Sequence, residues 1–500
     1  MNVAMLLEMV VEGAAGRTLL GTRSGGLTSS DLLAAARRAA TLFVESGADH
    51  VLLLDLNSEA VPVALLGASL AGLPFVPVNY RLTDHQLGSI LQRVSPGLVI
   101  AGSDMAARVS GIGGLSVLER KDFLGRVSTG EPPADLPWVD PDAIAVLLFT
   151  SGTTGEPKAA VLRHRHLVSY IIGSVEYLGA GDDEAQLVAV PPYHIAGVSS
   201  ILSSIYAGRR LVYLSGFDPG EWVRTVESES ITQAMVVPTM LGRILDSMET
   251  GGHGLGSLRL LSYGGGRMPV EVIERAMKLL PEVDFVNAYG LTETSSTVAV
   301  LTPEDHRRAM ASEDPAGRAR LASVGRPLPS VEVRICDLEG NEVAAGERGE
   351  VWVRGEQVAG EYLGRSLLSD DGWFQTRDAG RVDEDGFLYL EGRLDDVIVR
   401  GGENLSPGEI EDVLMRHPAV AEAAVVGVPD PEWGEAVAAA VVLEPGAQTT
   451  DEELRGWVAE RLRSTRSPKL IQYRTEMPYN ETGKLLRRVI RDELGADGQP

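Results

Sequence analysis

The stretch AIAVLLFTSGTTGEPK, residues 143–158, decides the reading of this chain. Its first seven residues are a continuous apolar run, the pattern of a short buried strand. Directly after it, Thr150, Ser151, Thr153 and Thr154 set four hydroxyls around Gly152, and Gly155 follows. Two glycines permit a tight backbone that can turn hydroxyl and N–H donors toward a polyphosphate. Lys158 adds a compact positive charge. The loop is not a Walker A sequence, because GxxxxGK[ST] is absent. Hydroxyls and glycines alone fit an ordinary strand-to-helix turn equally well.

Outward from this loop, helix-like patterns alternate with short β-rich apolar runs. Residues 28–46 have helical character, residues 51–56 and 186–190 read as strands, and residues 126–141 as a Pro/Asp-rich loop. Such alternation predicts an α/β fold of βαβ units and mainly parallel sheets. Residues 302–322 are charged and read as a surface excursion. Beyond Pro327, residues 331–336 and 349–354 alternate at strand period, which predicts an antiparallel or barrel-like part. After Arg393 a helix (407–415), two strands (420–428 and 436–443) and a charged helix (451–463) form an α+β pattern of domain size. The expected division is a large N-terminal domain, residues 1–392, and a small C-terminal domain, residues 393–500.

Composition narrows the class. The net charge of −25 leaves no basic face for nucleic acid or an anionic membrane, although a few local Lys and Arg residues can still hold a small anion. One cysteine, Cys336, excludes a disulfide scaffold. The uncharged runs 60–79 and 185–208 are interrupted by prolines and glycines, so they read as buried strand–turn–helix segments and not as membrane spans. The N-terminus lacks a basic n-region and does not read as a signal peptide. These readings together place the chain in the cytoplasm. There is no GxGxxG fingerprint, HExxH zinc motif or GxSxG elbow.

TSGTTGEPK is followed, in order, by PPYHIAG (191–197), YGGG (263–266), NAYGLTE (287–293) and SVGRPLPSVEVRI (323–335). Then come TRDAGR (376–381), GRLDDVIVRGGENLSPGEIE (392–411) and NETGK (480–484). This succession resembles the ANL superfamily of adenylate-forming enzymes, and within it the AMP-forming acyl-CoA synthetases, such as the fatty-acyl-CoA and 4-chlorobenzoate-CoA ligases. The resemblance spans residues 53–488. It implies an ATP-dependent acid–thiol ligase: a carboxylic acid is converted to an acyl-adenylate, and coenzyme A then takes the acyl group.

Each motif carries residue types suited to a role that the resemblance implies. Residues 150–155 and Lys158 would hold the phosphates. Gly264, Gly265, Asn287, Ala288, Tyr289 and Gly290 would receive the nucleotide, with Tyr289 stacking on adenine. Thr292 can donate to a phosphate oxygen, and Glu293, with Thr150, supplies hard oxygen ligands suited to Mg²⁺. Asp378 offers two acceptor oxygens to the ribose hydroxyls, and Arg393 brings a planar donor fork. Lys484 would stabilise charge as the carboxylate meets the α-phosphorus.

Asp395 matches the hinge position, about which the small domain would turn to present Arg400, Gly401, Gly402 and Glu403 to pantetheine. Trp433 lies where CoA-using relatives contact the nucleotide end of CoA. His194 would stand between the acyl pocket and the thiol tunnel. Val237, Thr239, Gly264, Gly266 and Ala288 would complete a lining suited to an uncharged fatty or aryl acid. The motif around His194 has no Asp to pair an amino acid's ammonium, whose unpaired burial is costly.

Some details depart from the common pattern: Ala159-Ala160 after the lysine, Arg163-His164-Arg165-His166 at the next helix, and the approach Pro478-Tyr479 to Lys484. Two other readings stay open: a carrier-protein phosphopantetheine as acceptor, and a scaffold that keeps the fold without catalysis. The sequence does not decide between a single chain and a homodimer.

Overall fold

The computed structural model describes residues 1–133, 136–150, 157–251, 254–400, 403–431, 433–479 and 485–497, and the side chains of 395, 403, 404, 496 and 497 lie outside that description. Among the described residues the strands fall into four sheets. The fold is α/β, with a large N-terminal domain and a small C-terminal one.

The first sheet has nine strands. Its centre is Asp284–Leu291, Leu260–Gly264, Gln233–Val236, Ala185–Val188 and Arg210–Tyr213, all parallel. Connections leave Ala185–Val188 toward Arg210–Tyr213 on one side, and leave Gln233–Val236 toward Leu260–Gly264 on the other. A crevice therefore opens between these two adjacent strands at their carboxyl ends, the place where open α/β sheets bind ligands.

The second sheet has eight strands, and Ile144–Thr150 pairs antiparallel with Lys158–Arg163 inside it. The apolar run beginning at 143 is thus a buried strand, as its composition predicts. It is followed by a returning strand and not by a helix; the next helix is His164–Ser174. The helix Ser29–Glu45 begins at a capping box between Thr28 and Asp31 and buries the stripe Leu32, Ala35, Ala36, Ala39, Ala40 and Phe43 at helical spacing. Its partner Ala60–Ala71 is apolar on every face because the core surrounds it, which explains the uncharged run from residue 60. No helix among the described residues is long and apolar enough to cross a membrane.

The third sheet runs Glu332–Cys336, Gly349–Arg354, Phe374–Val382 and Leu388–Arg393, all antiparallel. Its two edge strands do not pair, so of the readings left open it is an antiparallel sheet and not a closed barrel. The segment expected as a surface excursion needs correction. Residues 303–311 form a helix capped by Thr302 and Asp305, and His306, fully buried, meets the Tyr263 hydroxyl at 2.7 Å. Glu304, Arg307 and Arg308 are exposed, whereas Asp305, His306 and Ala309 are buried. The expected loop 126–141 likewise begins as the end of the helix Arg120–Ser128.

At Arg393 the chain leaves the third sheet, turns through Leu394–Asp396, and enters the fourth at Ile398–Arg400. The fourth sheet is built on the long antiparallel pair Val420–Asp430 and Gly434–Leu443. It packs with the helices Pro407–Met415, Asp451–Arg461 and Arg487–Asp497 into a core of its own. Beyond the strand that ends at Arg393, contacts between the small domain and the large one include the Arg267–Asp412 ion pair and the Ser406 hydroxyl donating to the Glu391 carbonyl at 2.7 Å.

Candidate active site

The site grows from the carboxyl ends of four neighbouring strands. His194 follows Ala185–Val188 and occupies the position just before the helix Ile195–Ala207. Val237 and Thr239 follow Gln233–Val236, and residues 264–266 end Leu260–Gly264. Asn287, Ala288, Tyr289 and Gly290 lie in Asp284–Leu291. Segments spread over about a hundred residues of sequence thus meet at one edge because the strands are parallel and adjacent. Gly264 is paired with Ala288, and a Cβ on it would stand 2.3 Å from the Ala288 carbonyl oxygen, so only glycine admits that approach.

Two polar clusters line this edge. In the first, Asp378 is buried; the Tyr289 hydroxyl donates to its Oδ2 at 2.6 Å and the Arg393 guanidinium to its Oδ1 at 3.0 Å. A register shift in the pairing with Gly349–Arg354, with Arg377 at φ 62°, marks the bulge that re-aims Asp378. Arg393 also donates to the Thr376 carbonyl at 2.9 Å, so the two strands hold the pair from both sides. Burial, and then the Asp378 carboxylate, keep the Tyr289 phenol well above its ordinary pKa, so it remains a hydrogen-bond donor. Tyr289 is 8% exposed, and in this arrangement its hydroxyl is engaged by Asp378.

In the second cluster, Thr292–Thr294 form a 3₁₀ turn that carries Glu293. The Tyr362 hydroxyl donates to Glu293 Oε1, and the Gly360 N–H donates to the Glu293 carbonyl at 2.9 Å. Lys158 Nζ lies 5.7 Å from the centre of the Tyr362 ring. Thr150 and Lys158 are paired across the antiparallel strands, so the described residues on either side of 151–156 reach the same place. Arg163 grips Glu361 through two bonds of 2.9 and 2.7 Å, which anchors the strand carrying Tyr362. Among the described residues no group of three or more His, Cys, Asp or Glu could cage a metal. One carboxylate and one hydroxyl fit a Mg²⁺ that takes its remaining ligands from phosphate and water.

Sequence reasoning missed Tyr362, and it missed Gln357, which is fully buried and donates to the Thr294 and Thr297 carbonyls at 3.2 and 2.7 Å. Neither sits in a motif of chemistry-bearing residues; the placing of Tyr between Gly360 and Gly364 was the available signal. In the small domain the Arg400 guanidinium stands 5.5 Å from the Trp433 ring, and Arg400 pairs with Gly434. Residues 151–155, Gly401, Gly402 and Lys484 lie outside the described residues, and Asp395 and Glu403 are described in backbone only. Tyr479 and Leu485, which flank residues 480–484, form an antiparallel bridge. Beyond it, Arg487 donates to both Glu411 oxygens, which anchors the C-terminal helix.

The profile of the AMP-binding enzyme family matches residues 7–363, and that of the AMP-binding enzyme C-terminal domain matches residues 409–484. The chain therefore belongs to the AMP-binding enzyme family, in the acyl-CoA synthetase branch of the ANL adenylate-forming superfamily. It is an AMP-forming acid–thiol ligase, which uses ATP to convert a carboxylic acid to the acyl-adenylate and passes the acyl group to coenzyme A. It is 33% identical over 483 residues to a feruloyl-CoA synthase of Amycolatopsis sp, covering 95% of each chain. It is 34% identical to the fatty acid–[acyl-carrier-protein] ligase ScoC of Streptomyces coeruleorubidus, covering 94% of this chain and 90% of that one. Among solved structures, ATP-bound MatB from Rhodopseudomonas palustris superposes with a TM-score of 0.87 at 27% identity, covering all of both chains.

Proposed function

We propose that the acid is an uncharged fatty or aryl acid, seated in the crevice between the ends of Ala185–Val188 and Gln233–Val236. The observation that carries this reading is that His194, Val237, Thr239, Gly264, Gly266 and Ala288 lie in or just beyond neighbouring parallel strands beside a topological switch point, and none of these six residues carries a carboxylate. Adenine and ribose lie toward Tyr289, Asp378 and Arg393, where a buried carboxylate with two oxygens can accept from two hydroxyls once Tyr289 and Arg393 adjust. The triphosphate meets Thr150, Thr292, Lys158 and the loop 151–155. Glu293 and Thr150 hold Mg²⁺, which offsets phosphate charge when bound.

Lys484 supplies the cation between the attacking carboxylate and the α-phosphate. The small domain, residues 393–500, turns about Asp395 between half-reactions and brings Arg400, Gly401, Gly402, Glu403 and Trp433 to CoA. A cytoplasmic location, where ATP and CoA are supplied, suits this chemistry. The relationship to a fatty acid–[acyl-carrier-protein] ligase keeps a carrier protein as the second acceptor.

The test is an acid panel assayed for pyrophosphate release and for acyl-CoA, run beside Lys484→Ala. Fatty or aryl acids are expected to give acyl-CoA. Lys484→Ala is expected to lose adenylation by at least a hundredfold yet retain thiolysis of preformed adenylate. Release of pyrophosphate with acyl transfer only to a carrier protein would replace CoA as acceptor. Equal loss of both half-reactions would remove Lys484 from its role.

A further inference from the structure

Beside the phosphate loop, on the outer side of Tyr362, lies an open pocket of about 340 Å³. Its wall carries Arg93, Lys158 and Arg365 and, among its described lining residues, no carboxylate. In a chain with 70 acidic and 45 basic residues this is a local inversion of charge. Arg93 comes from the end of the helix Asp84–Arg93 and Arg365 from the short strand Arg365–Ser366, far apart in sequence and brought together only by the fold.

The position of Arg93 is set: its guanidinium donates to the Pro157 carbonyl at 2.6 Å and lies 5.2 Å from the Phe149 ring. Arg365 is exposed and paired through its backbone with Tyr362. Tyr362 is the partition between this pocket and the metal-binding carboxylate, with Lys158 against its ring and its hydroxyl on Glu293.

Taking the adenylation reading as given, we propose that this pocket is a subsite for the diphosphate product, which Arg93 and Arg365 receive from Lys158 as it leaves the nucleotide site. Two fixed or tethered guanidiniums beyond the loop lysine suit a small polyanion carrying several charges, since each presents a planar donor fork to phosphate oxygens. A second source of the same chemistry is the diphosphate of CoA, and the experiment separates the two.

The experiment uses the full chain and magnesium pyrophosphate as probe, with Arg93→Gln/Arg365→Gln, and Arg365→Glu alone as the variant that leaves the Pro157 bond intact. Calorimetric affinity for magnesium pyrophosphate is expected to fall at least fivefold in the double variant and to fall measurably in Arg365→Glu. The KM for CoA in thiolysis of preformed acyl-adenylate is expected to stay within twofold. Unchanged pyrophosphate affinity in both variants overturns the proposal, and so does a loss that falls on the KM for CoA instead. Calorimetry reads the pocket even where no acid is turned over. A failure of the adenylation reading, seen as silent pyrophosphate exchange with every acid, is therefore distinct from a failure of this subsite.

Discussion

Asp378 shows how a residue common in turns is held as a buried acceptor inside a sheet. An Asp before Ala-Gly is ordinarily a turn residue, yet here it lies on a strand, buried, with a phenol and a guanidinium donating to its two oxygens. Removing the carboxylate leaves the Tyr289 hydroxyl and one edge of Arg393 without an acceptor. An unsatisfied buried polar group costs about 1–3 kcal/mol. Asp378→Ala is therefore expected to lower unfolding free energy by that amount, read by denaturant titration, and to abolish measurable ATP affinity. If stability falls while nucleotide affinity holds, Asp378 is structural only.

At the scale of elements, the segment Arg163-His164-Arg165-His166 departs from the common family pattern and has a physical consequence. The His164 Nδ1 accepts from the Val3 N–H at 3.2 Å, and the His166 Nδ1 accepts from the Arg163 N–H at 3.3 Å, so both rings are held neutral. Burial lowers each pKa from 6.5 to about 4, and burial does the same to His306 in the helix over Tyr263. A histidine held below its unfolded pKa stabilises the fold fully above about pH 6.5, and that contribution disappears as pH falls toward 4, because the unfolded chain takes the proton first. The slope is about 1.4 kcal/mol per pH unit for each group. Chemical unfolding is expected to show a steep loss between pH 6.5 and 4 that flattens in His164→Asn/His166→Asn. An unchanged slope in that variant would place the acid sensitivity in other groups.

The expected motion of the small domain belongs to the whole molecule. The Arg267–Asp412 pair spans the two domains in this arrangement, with both side chains partly exposed. Such a pair contributes at most about 1 kcal/mol, too little to fix a domain but enough to bias a balance between two positions. Arg267→Ala is expected to shift the ratio of adenylation to thiolysis rates severalfold in single-turnover assays, with the unfolding midpoint unchanged. Equal scaling of both rates would show that the contact is not tied to domain position.

The alternating apolar runs and the spaced motifs from TSGTTGEPK to NETGK were enough to read an α/β chain with a distinct C-terminal part and an adenylate-forming chemistry. That information is local: strand and helix periods, and the residue types of each motif, are written within a few residues. Tyr362 beside Glu293, Gln357 under the motif turn, the buried face of residues 303–311 and the meeting of Arg93 with Arg365 were not legible in this way. Each depends on which strands lie side by side and on what a bulge does to a side chain's aim. Those outcomes are settled by packing between segments tens to hundreds of residues apart, where no sequence period links one partner to the other.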